Sequence, residues 1–499
     1  MAVNPKKLRP YDEPPKVRRS LIPSAPDSAA TAFLVVSVLW LAVATGIGAL
    51  WAAYLLFPDL LSFRWELPVP VIGTLAIELS QQTVLAGFIN ALVYGWVSNA
   101  GFAAIMFMAP RLVGTRLRDE TMGFGAMGLW NLGVAVGLAT VYLPTFSAGG
   151  MLVEFPILVD GLLLLGAATV MGALFRTLWA AERRLPYVSI LYFGVALLAF
   201  LGLYALSSAS VLLNLDATAQ ALIDGFAARG ILTYWVLGVT LGSLFYVVPR
   251  ASGNPLASSG MALASWLLWA AFAGLSALAA LVDPSVPYAV TSIGNAGTIL
   301  LLAPVFLAVA DLILSLQGRW TFALITGTLS FALTAMAFLL GAWLLEAVGA
   351  LRSVDALVRG TEWRLGVLLL GVLGAATFAL LALADHAAPR VLKRDWRGGI
   401  TVDVQLWAIM VGVTVAGLAL IGGGIAHGSL AREGAAPEAM QGVLSWFWMA
   451  AGAGLGLAAL GGLAAAISLF LIYTTARRAE YVPAAEPVAG STPATQPAR

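Results

Sequence analysis

The sequence contains no cysteine, only two histidines among 499 residues, and only 10% charged residues. Without cysteine the chain has no disulfide, no thiolate metal site, no iron–sulfur cluster and no covalent c-type haem attachment. The charged fraction lies far below the roughly 25% of soluble domains. An ordinary soluble enzyme is therefore excluded, and most of the chain is expected to lie in lipid.

Apolar residues make up 60% of the chain, and the mean hydropathy is +0.91. A transmembrane helix needs about 20 mostly apolar residues, because only a closed helix satisfies its own backbone in hydrocarbon. Twelve segments meet this requirement, which predicts an all-α polytopic membrane protein. Their approximate limits are 30–57, 84–109, 122–144, 156–181, 187–213, 231–249, 257–281, 288–316, 320–349, 364–388, 402–428 and 443–474.

Lysine and arginine indicate the orientation, since they accumulate in cytoplasmic loops. With both termini inside, 21 of the 27 Lys and Arg residues fall on the cytoplasmic side. The six on the other side are Arg64, Arg229, Arg352, Arg359, Arg364 and Arg432. We therefore predict a multi-pass protein of a bacterial-type inner membrane with cytoplasmic N- and C-termini.

Three regions follow from this pattern. Residues 1–28 are basic and proline-rich and lack the features of a signal peptide, so we expect a retained cytoplasmic tail. Residues 29–476 form one transmembrane domain. Residues 477–499 have the composition of a disordered cytoplasmic tail.

A Pro-Arg pair recurs near the ends of the second, sixth and tenth segments. Pro110-Arg111, Pro249-Arg250 and Pro389-Arg390 are separated by 139 and 140 residues, which is four segments each time. One such pair has a simple explanation, because proline closes a helix and arginine anchors its cytoplasmic end. Three pairs at equal spacing predict three pseudo-symmetric arcs of four helices.

These three segments also carry longer motifs. The second reads Phe-Ile-Asn-Ala from Phe88 and continues through Gly95 to Asn99-Ala100, and the sixth ends in Gly242-Ser-Leu-Phe-Tyr-Val-Val-Pro-Arg. Thr361-Glu-Trp-Arg-Leu-Gly-Val opens the tenth. In these motifs the chain resembles subunit I of the haem–copper oxidases, closest to the cbb-type (C-family) catalytic subunit. The resemblance implies the same twelve-helix fold.

The family places six histidines on these helices, and the resemblance implies that none is present here. Phe88 and Leu369 match the two axial ligands of the low-spin haem, and Val367 matches the proximal ligand of the high-spin haem. The copper-ligand positions are matched by Arg229, Ser276 and Ala277. The seventh segment also lacks the family's tyrosine. We therefore expect no haem, no copper and no catalytic residue in this chain.

The two histidines present do not restore such a site. His386 lies near the cytoplasmic end of the tenth segment and His427 near the opposite end of the eleventh. They are expected to be separated by most of the bilayer, which excludes a haem held by both. Both are interpreted as interfacial residues at helix ends; a haem held by one histidine and a methionine stays open as an alternative.

Other candidate sites have structural interpretations. Five carboxylates lie toward segment ends, where snorkelling or loop contacts are expected. They are Asp160, Asp311, Glu346, Asp385 and Asp403. The glycine runs at 422–424 and 452–456 predict close helix packing.

The leading hypothesis is a haem-less, copper-less paralogue of oxidase subunit I. It would not be an enzyme by itself, but a structural or organising subunit of a respiratory membrane complex. Its expected partners are membrane lipid and other membrane subunits, such as a haem-bearing oxidase or cytochrome subunit, and not nucleic acid.

Two alternatives stay open. The first is a transporter, channel or lipophilic-ligand binder built on the emptied fold, in which Arg229 meets an anion. The simpler interpretation of Arg229 is an interfacial anchor. The second alternative is an assembly factor for an oxidase.

Overall fold

The computed structural model describes residues 25–57, 62–69, 73–143, 150–181, 187–392 and 399–475. Within these residues, twelve helices are long and apolar enough to span a membrane. We number them α1 Ser28–Leu56, α2 Gln81–Val113, α3 Glu120–Val141, α4 Ile157–Trp179, α5 Val188–Leu212, α6 Ala217–Ser252, α7 Ser259–Ala280, α8 Tyr288–Ser315, α9 Gly327–Gly349, α10 Trp363–Leu392, α11 Ile400–Arg432 and α12 Pro437–Thr475. Both predicted tails lie wholly or mostly outside the described residues, as do Arg183, Arg184, Lys393, Arg394 and Arg397.

The predicted twelve-helix fold is confirmed, and most boundaries agree within a few residues. The largest difference is at α6, which begins at Ala217 and not near residue 231. Gln220 and Asp224 interrupt the apolar run there, but Asp224 is buried and accepts a 2.6 Å hydrogen bond from Ser207 of α5. A separate short helix, Trp320–Ile325, precedes α9.

Three helices form the centre of the bundle. In its most apolar stretch, α2 is 100% buried, α6 is 89% and α10 is 83%, whereas the other nine range from 33% to 56%. The surrounding helices follow in sequence order, and α1 packs against α12 to close the ring. The second helix of each predicted arc is therefore an inner helix.

Hydrogen bonds between the inner helices repeat with the predicted symmetry. The indole of Trp96 in α2 donates to Thr377 Oγ1 in α10 at 3.0 Å, and Trp235 in α6 donates to Ser98 Oγ in α2 at 2.9 Å. The two tryptophans are 139 residues apart. At the third interface the matching positions are alanine and leucine, so this bond is made twice and not three times.

Each inner helix also contains a wider π-helical stretch: Ala91–Val97, Ile231–Val236 and Leu369–Ala376. π-Helical turns occur often at functional sites, because they shift side chains out of the α-helical register. Their presence in all three inner helices supports the threefold repeat.

The equally spaced Pro-Arg pairs lie at the same end of the three inner helices, which we call the Pro-Arg end. Pro110 and Pro249 lie inside the last turn of their helices, which continue to Val113 and Ser252. The helices end at Gly114 and Gly253, whose φ angles are +73° and +75°. Such left-handed residues are common helix caps, and glycine adopts them without strain.

A β-hairpin between α1 and α2 was not expected from an all-α interpretation. Strands β1 Phe63–Val69 and β2 Gly73–Leu79 pair antiparallel, with Phe63 opposite Leu79. Apolar Phe63 and Trp65 alternate with charged Arg64, a two-residue period that is typical of a strand. The backbone N–H of Glu78 donates to Tyr142 at the end of α3, which holds the hairpin at the end of the bundle opposite the Pro-Arg end.

Close packing of the predicted run 452–456 is confirmed at Gly454 but not at Gly456, where an added Cβ would meet nothing within 4 Å. A Cβ atom added to Gly412 of α11 would lie 2.5 Å from the carbonyl oxygen of Gly454 in α12. Only glycine allows this approach of two backbones. At least these two glycines pack inside the chain.

Candidate functional site

A cavity of about 810 Å³ lies among the inner helices toward the end opposite the Pro-Arg end. Leu339 and Ala342 of α9 and Val367, Leu368 and Gly371 of α10 form part of its apolar wall, and α2 and α6 complete it. Cavities of 300–1,000 Å³ with mostly apolar walls and a few polar groups are typical ligand sites. This cavity is therefore the candidate functional site.

Arg229 of α6 lies in the wall of this cavity and connects three other helices. Its Nε donates to the carbonyl oxygen of Ser276 in α7 at 2.8 Å. Its Nη2 donates to Thr298 Oγ1 in α8 and to Glu346 Oε1 in α9, both at 2.8 Å. The expectation of an interfacial anchor is wrong, because the guanidinium points into the protein and forms an ion pair there.

The positions matched to copper ligands do come together. Arg229 hydrogen-bonds directly to Ser276, and the hydroxyl of Ser276 shares a 3.0 Å hydrogen bond with Thr298. Ser276 and Ala277 are both buried. Val367, matched to the proximal haem ligand, lines the same cavity as Arg229.

Two more charged residues line this polar end. Arg364 of α10 has a half-exposed side chain, with Nη2 3.5 Å from Asp355 Oδ1. On the other wall, Asp224 of α6 accepts hydrogen bonds from Ser207 and from the backbone N–H of Gly150. The polar end therefore contains two guanidinium groups and two carboxylates, Glu346 included.

The loop before α4 covers part of the cavity. Gly150 and Met151 line it, and Glu154 accepts a hydrogen bond from Asn90 of α2. Burial raises the pKa of Glu154 to about 7, against the opposing effect of the Asn90 hydrogen bond. Glu154 therefore titrates near neutral pH.

The positions matched to the low-spin haem ligands are packed. Phe88 of α2 and Leu369 of α10 are both 0% exposed. The Phe88 ring fills the space left by Gly48 of α1, where an added Cβ would be 2.9 Å from a ring carbon. Neither side chain lines the cavity.

The two histidines lie far apart, as the sequence predicts. His427 Nδ1 is 3.0 Å from Glu362 Oε2, immediately before α10. His386 follows 24 residues later along the same helix, which is about 35 Å at the α-helical rise. His386 lies near the Pro-Arg end of α10, as expected, but its side chain is buried within the protein: it is 7% exposed and makes edge contacts with Phe107 of α2 and Tyr246 of α6.

Two of the five carboxylates contradict the expectation of snorkelling or loop contacts. Asp160 is buried and accepts hydrogen bonds from Tyr204 at 2.8 Å and Ser208 at 3.0 Å, both in α5. Glu346 pairs with Arg229. Helix-to-helix pairing supplies the partners that a buried carboxylate needs.

The other three carboxylates lie nearer to expectation. Asp311 accepts from the backbone N–H of Ser258 in the loop before α7, at 2.7 Å. Asp385 accepts from Thr328 at the start of α9. Asp403 is exposed.

The cavity lining does not fit a haem iron or a copper ion. Among the described residues it contains no histidine and no cysteine, and its one thioether belongs to Met151. No group of three or more His, Cys, Asp or Glu side chains that could hold a metal occurs in the described parts of the chain. Copper and haem iron take imidazole or sulfur ligands, so the residues present are unsuited to either.

Sequence reasoning did not single out Asp224, Glu154 or Arg364 as parts of one site. Asp224 and Glu154 lie in loops between predicted segments, and Arg364 lies at the start of the tenth predicted segment. Asp224 could have been found only by extending the predicted sixth helix toward its N-terminus, which places this polar residue on a face of α6. No local signal points to Glu154, whose partner Asn90 is 64 residues away.

The chain is similar to known respiratory proteins over most of its length. The family model described as cytochrome c and quinol oxidase polypeptide I matches residues 28–483. The cbb3-type cytochrome c oxidase subunit CcoN1 of Stutzerimonas stutzeri is 23% identical over 419 residues, which cover 80% of this chain and 83% of that protein.

A solved structure shows the same fold. The cryo-EM structure of a heme-copper terminal oxidase dimer superposes with a TM-score of 0.70 at 14% identity, over 90% of this chain and 84% of that one. The family match spans all twelve helices. From this match and the shared fold, the chain belongs to the family of cytochrome c and quinol oxidase polypeptide I, the haem–copper oxidase subunit I family.

Proposed function

We propose that this chain is a haem-less, copper-less member of the family that acts as a structural or organising subunit of a respiratory membrane complex. The observation that carries the proposal is the ion pair of Arg229 with Glu346. It occupies a position that the resemblance matches to a copper ligand. A fixed guanidinium there repels a metal cation and cannot ligate one, because arginine stays protonated in proteins.

The packed positions support the same proposal. Phe88 and Leu369 are fully buried at positions matched to the axial haem ligands, and neither side chain can ligate iron. The inner helices are nevertheless joined by hydrogen bonds and contain three π-helical stretches. A chain that keeps its fold but lacks ligands is suited to holding other subunits in place.

An optical spectrum tests the absence of haem. The full chain is purified in mild detergent, and its reduced-minus-oxidised spectrum is compared with that of a cbb3-type relative prepared in the same way. We expect no haem bands from this chain. A stoichiometric b-type spectrum would contradict the proposal.

Co-purification tests the organising role. A tagged full chain is extracted from its native membrane in mild detergent, and the recovered subunits are identified by mass spectrometry. We expect stable recovery with a cytochrome or haem-bearing oxidase subunit, since the relative CcoN1 is itself an oxidase subunit. Recovery of a lone oligomer would favour the transporter or ligand-binder alternative instead.

A further inference from the structure

We infer that the cavity binds an amphipathic molecule with one apolar chain and an anionic head group, a carboxylate or a phosphate. This site goes beyond the proposed function and does not depend on it. The volume of about 810 Å³ lies within the range of small-molecule sites. An apolar wall suits the chain of such a molecule, and the guanidinium groups suit its head.

Part of the apolar wall is built from two neighbouring helices. Leu339 and Ala342 of α9 lie beside Val367, Leu368 and Gly371 of α10, with Ala342 Cβ 3.9 Å from a Cβ added to Gly371, so an acyl chain would meet only apolar groups on this side. An acyl chain placed against this wall removes apolar surface from water, which is favourable.

The carboxylates at the polar end already accept hydrogen bonds, whereas part of each guanidinium stays available. Glu346 Oε1 accepts from Arg229, and both oxygens of Asp224 accept hydrogen bonds from Ser207 and Gly150. By contrast, Nη1 of Arg229 makes no hydrogen bond to any residue that the structure describes.

Arg364 provides the second available group. Its only hydrogen bond within the described chain is the 3.5 Å contact from Nη2 to Asp355, and 46% of its side chain is exposed. Arginine forms paired hydrogen bonds with carboxylates and phosphates. Arg229 and Arg364 therefore select an anionic head group over a neutral one.

Photolabelling tests the site directly. The purified full chain is irradiated with a long-chain fatty acid that carries a diazirine on its chain, and labelled peptides are mapped by mass spectrometry. We expect label in α9 and α10 near Leu339 and Leu368. Label spread over the lipid-facing helices, without enrichment at the cavity, would overturn the proposal.

Competition identifies the head group. Unlabelled fatty acid, an alkyl phosphate, single-chain lysophosphatidylglycerol, the fatty alcohol of equal chain length and a short-chain quinone are compared. Competition by the fatty acid alone assigns a free carboxylate, and competition by the phosphate compounds assigns a lipid phosphate; either supports the site. Equal competition by the alcohol or by a short-chain quinone would overturn the selection of an anion.

Two matched pairs of variants locate the binding. Arg364→Gln is expected to weaken fatty-acid binding about tenfold, as for a lost charged hydrogen bond, whereas Arg352→Gln outside the cavity leaves it unchanged. Gly371→Leu fills the cavity, because the nearest atom to its added Cβ is Ala342 Cβ at 3.9 Å. Its control on α9, Gly341→Leu, meets nothing within 4 Å and lies outside the lining.

Each variant is read only after its folding has been checked by size-exclusion chromatography in detergent. If Gly371→Leu fails to fold, the half-exposed Arg364 still carries the test. Unchanged affinity in Arg364→Gln together with unchanged labelling in a folded Gly371→Leu would overturn the proposal. Neither variant is expected to alter the haem spectrum or the co-purification. Failure of the ligand site therefore leaves the proposed function untouched, and the reverse also holds.

Discussion

Val367 and Leu369 are two residues apart on α10 and both are buried, yet only Val367 lines the cavity. Val367 borders a cavity of about 810 Å³ whose polar end contains Arg229. Leu369, like Phe88, is fully buried away from that cavity. Two positions that the resemblance matches to haem ligands therefore lie in different regions. The filled region, around Phe88 and Leu369, is occupied by side chains, and the cavity region, around Val367 and Arg229, contains open volume.

This difference separates two ways of accommodating a lost ligand. Large apolar side chains remove the empty volume and its energetic cost. An ion pair removes the affinity for a metal cation and leaves the volume available. The filled region is therefore expected to contribute to stability, and the cavity region to binding.

The largest expected effect is on the filled region. Phe88→Ala should lower the free energy of unfolding by about 3–5 kcal/mol, because it opens a cavity in packed surroundings. Val367→Ala, which only enlarges an existing cavity, should cost clearly less. Thermal unfolding of both variants in detergent checks this, and equal losses would remove the distinction between the two regions.

The stability of the fold should depend on pH through Glu154, which lies in the loop that covers part of the cavity. The pKa of Glu154 is about 7 in the folded protein and 4.5 in the unfolded chain, so the fold favours its neutral form. Its contribution is complete below pH 4.5 and is lost as pH rises through 7, a change of about 3 kcal/mol. Glu154→Gln should flatten this part of the stability profile between pH 5 and 8. The exposed Glu433→Gln should not, and an unchanged profile in Glu154→Gln would contradict the assignment.

The ion pair of the cavity region should show strong coupling. Arg229→Gln and Glu346→Gln should each cost about 2 kcal/mol, less than for a fully buried pair because both side chains are about one-fifth exposed. The double variant should cost less than the sum of the two. A double-mutant cycle on unfolding in detergent measures this, and additive losses would mean that the pair contributes nothing as a unit.

The smallest effect concerns a feature outside both regions. Trp96→Phe removes the hydrogen bond to Thr377 and should cost about 1 kcal/mol, and Trp235→Phe should cost the same. Neither change should alter photolabelling of the cavity. An altered labelling pattern would show that the cavity shape depends on the contacts between the inner helices.

The number and order of the membrane helices were predictable, because a span depends on local composition over about 20 residues. The boundary of α6 and the hairpin were missed for related reasons. Asp224 looked like a loop residue until α5 supplied Ser207 as its partner. Phe63 and Trp65 alternate like a strand, but a search for long apolar runs does not detect a two-residue period.

The sequence by itself determined that this chain has twelve apolar spans and only two histidines, too few for the six-histidine set that the resemblance implies. Which polar groups meet inside the membrane depended on packing. Arg229 and Glu346 are 117 residues apart, and Phe88 and Leu369 belong to different arcs. Local hydrophobicity dictates where each helix lies, whereas pairing, filling and residual space arise only when the helices are brought into contact.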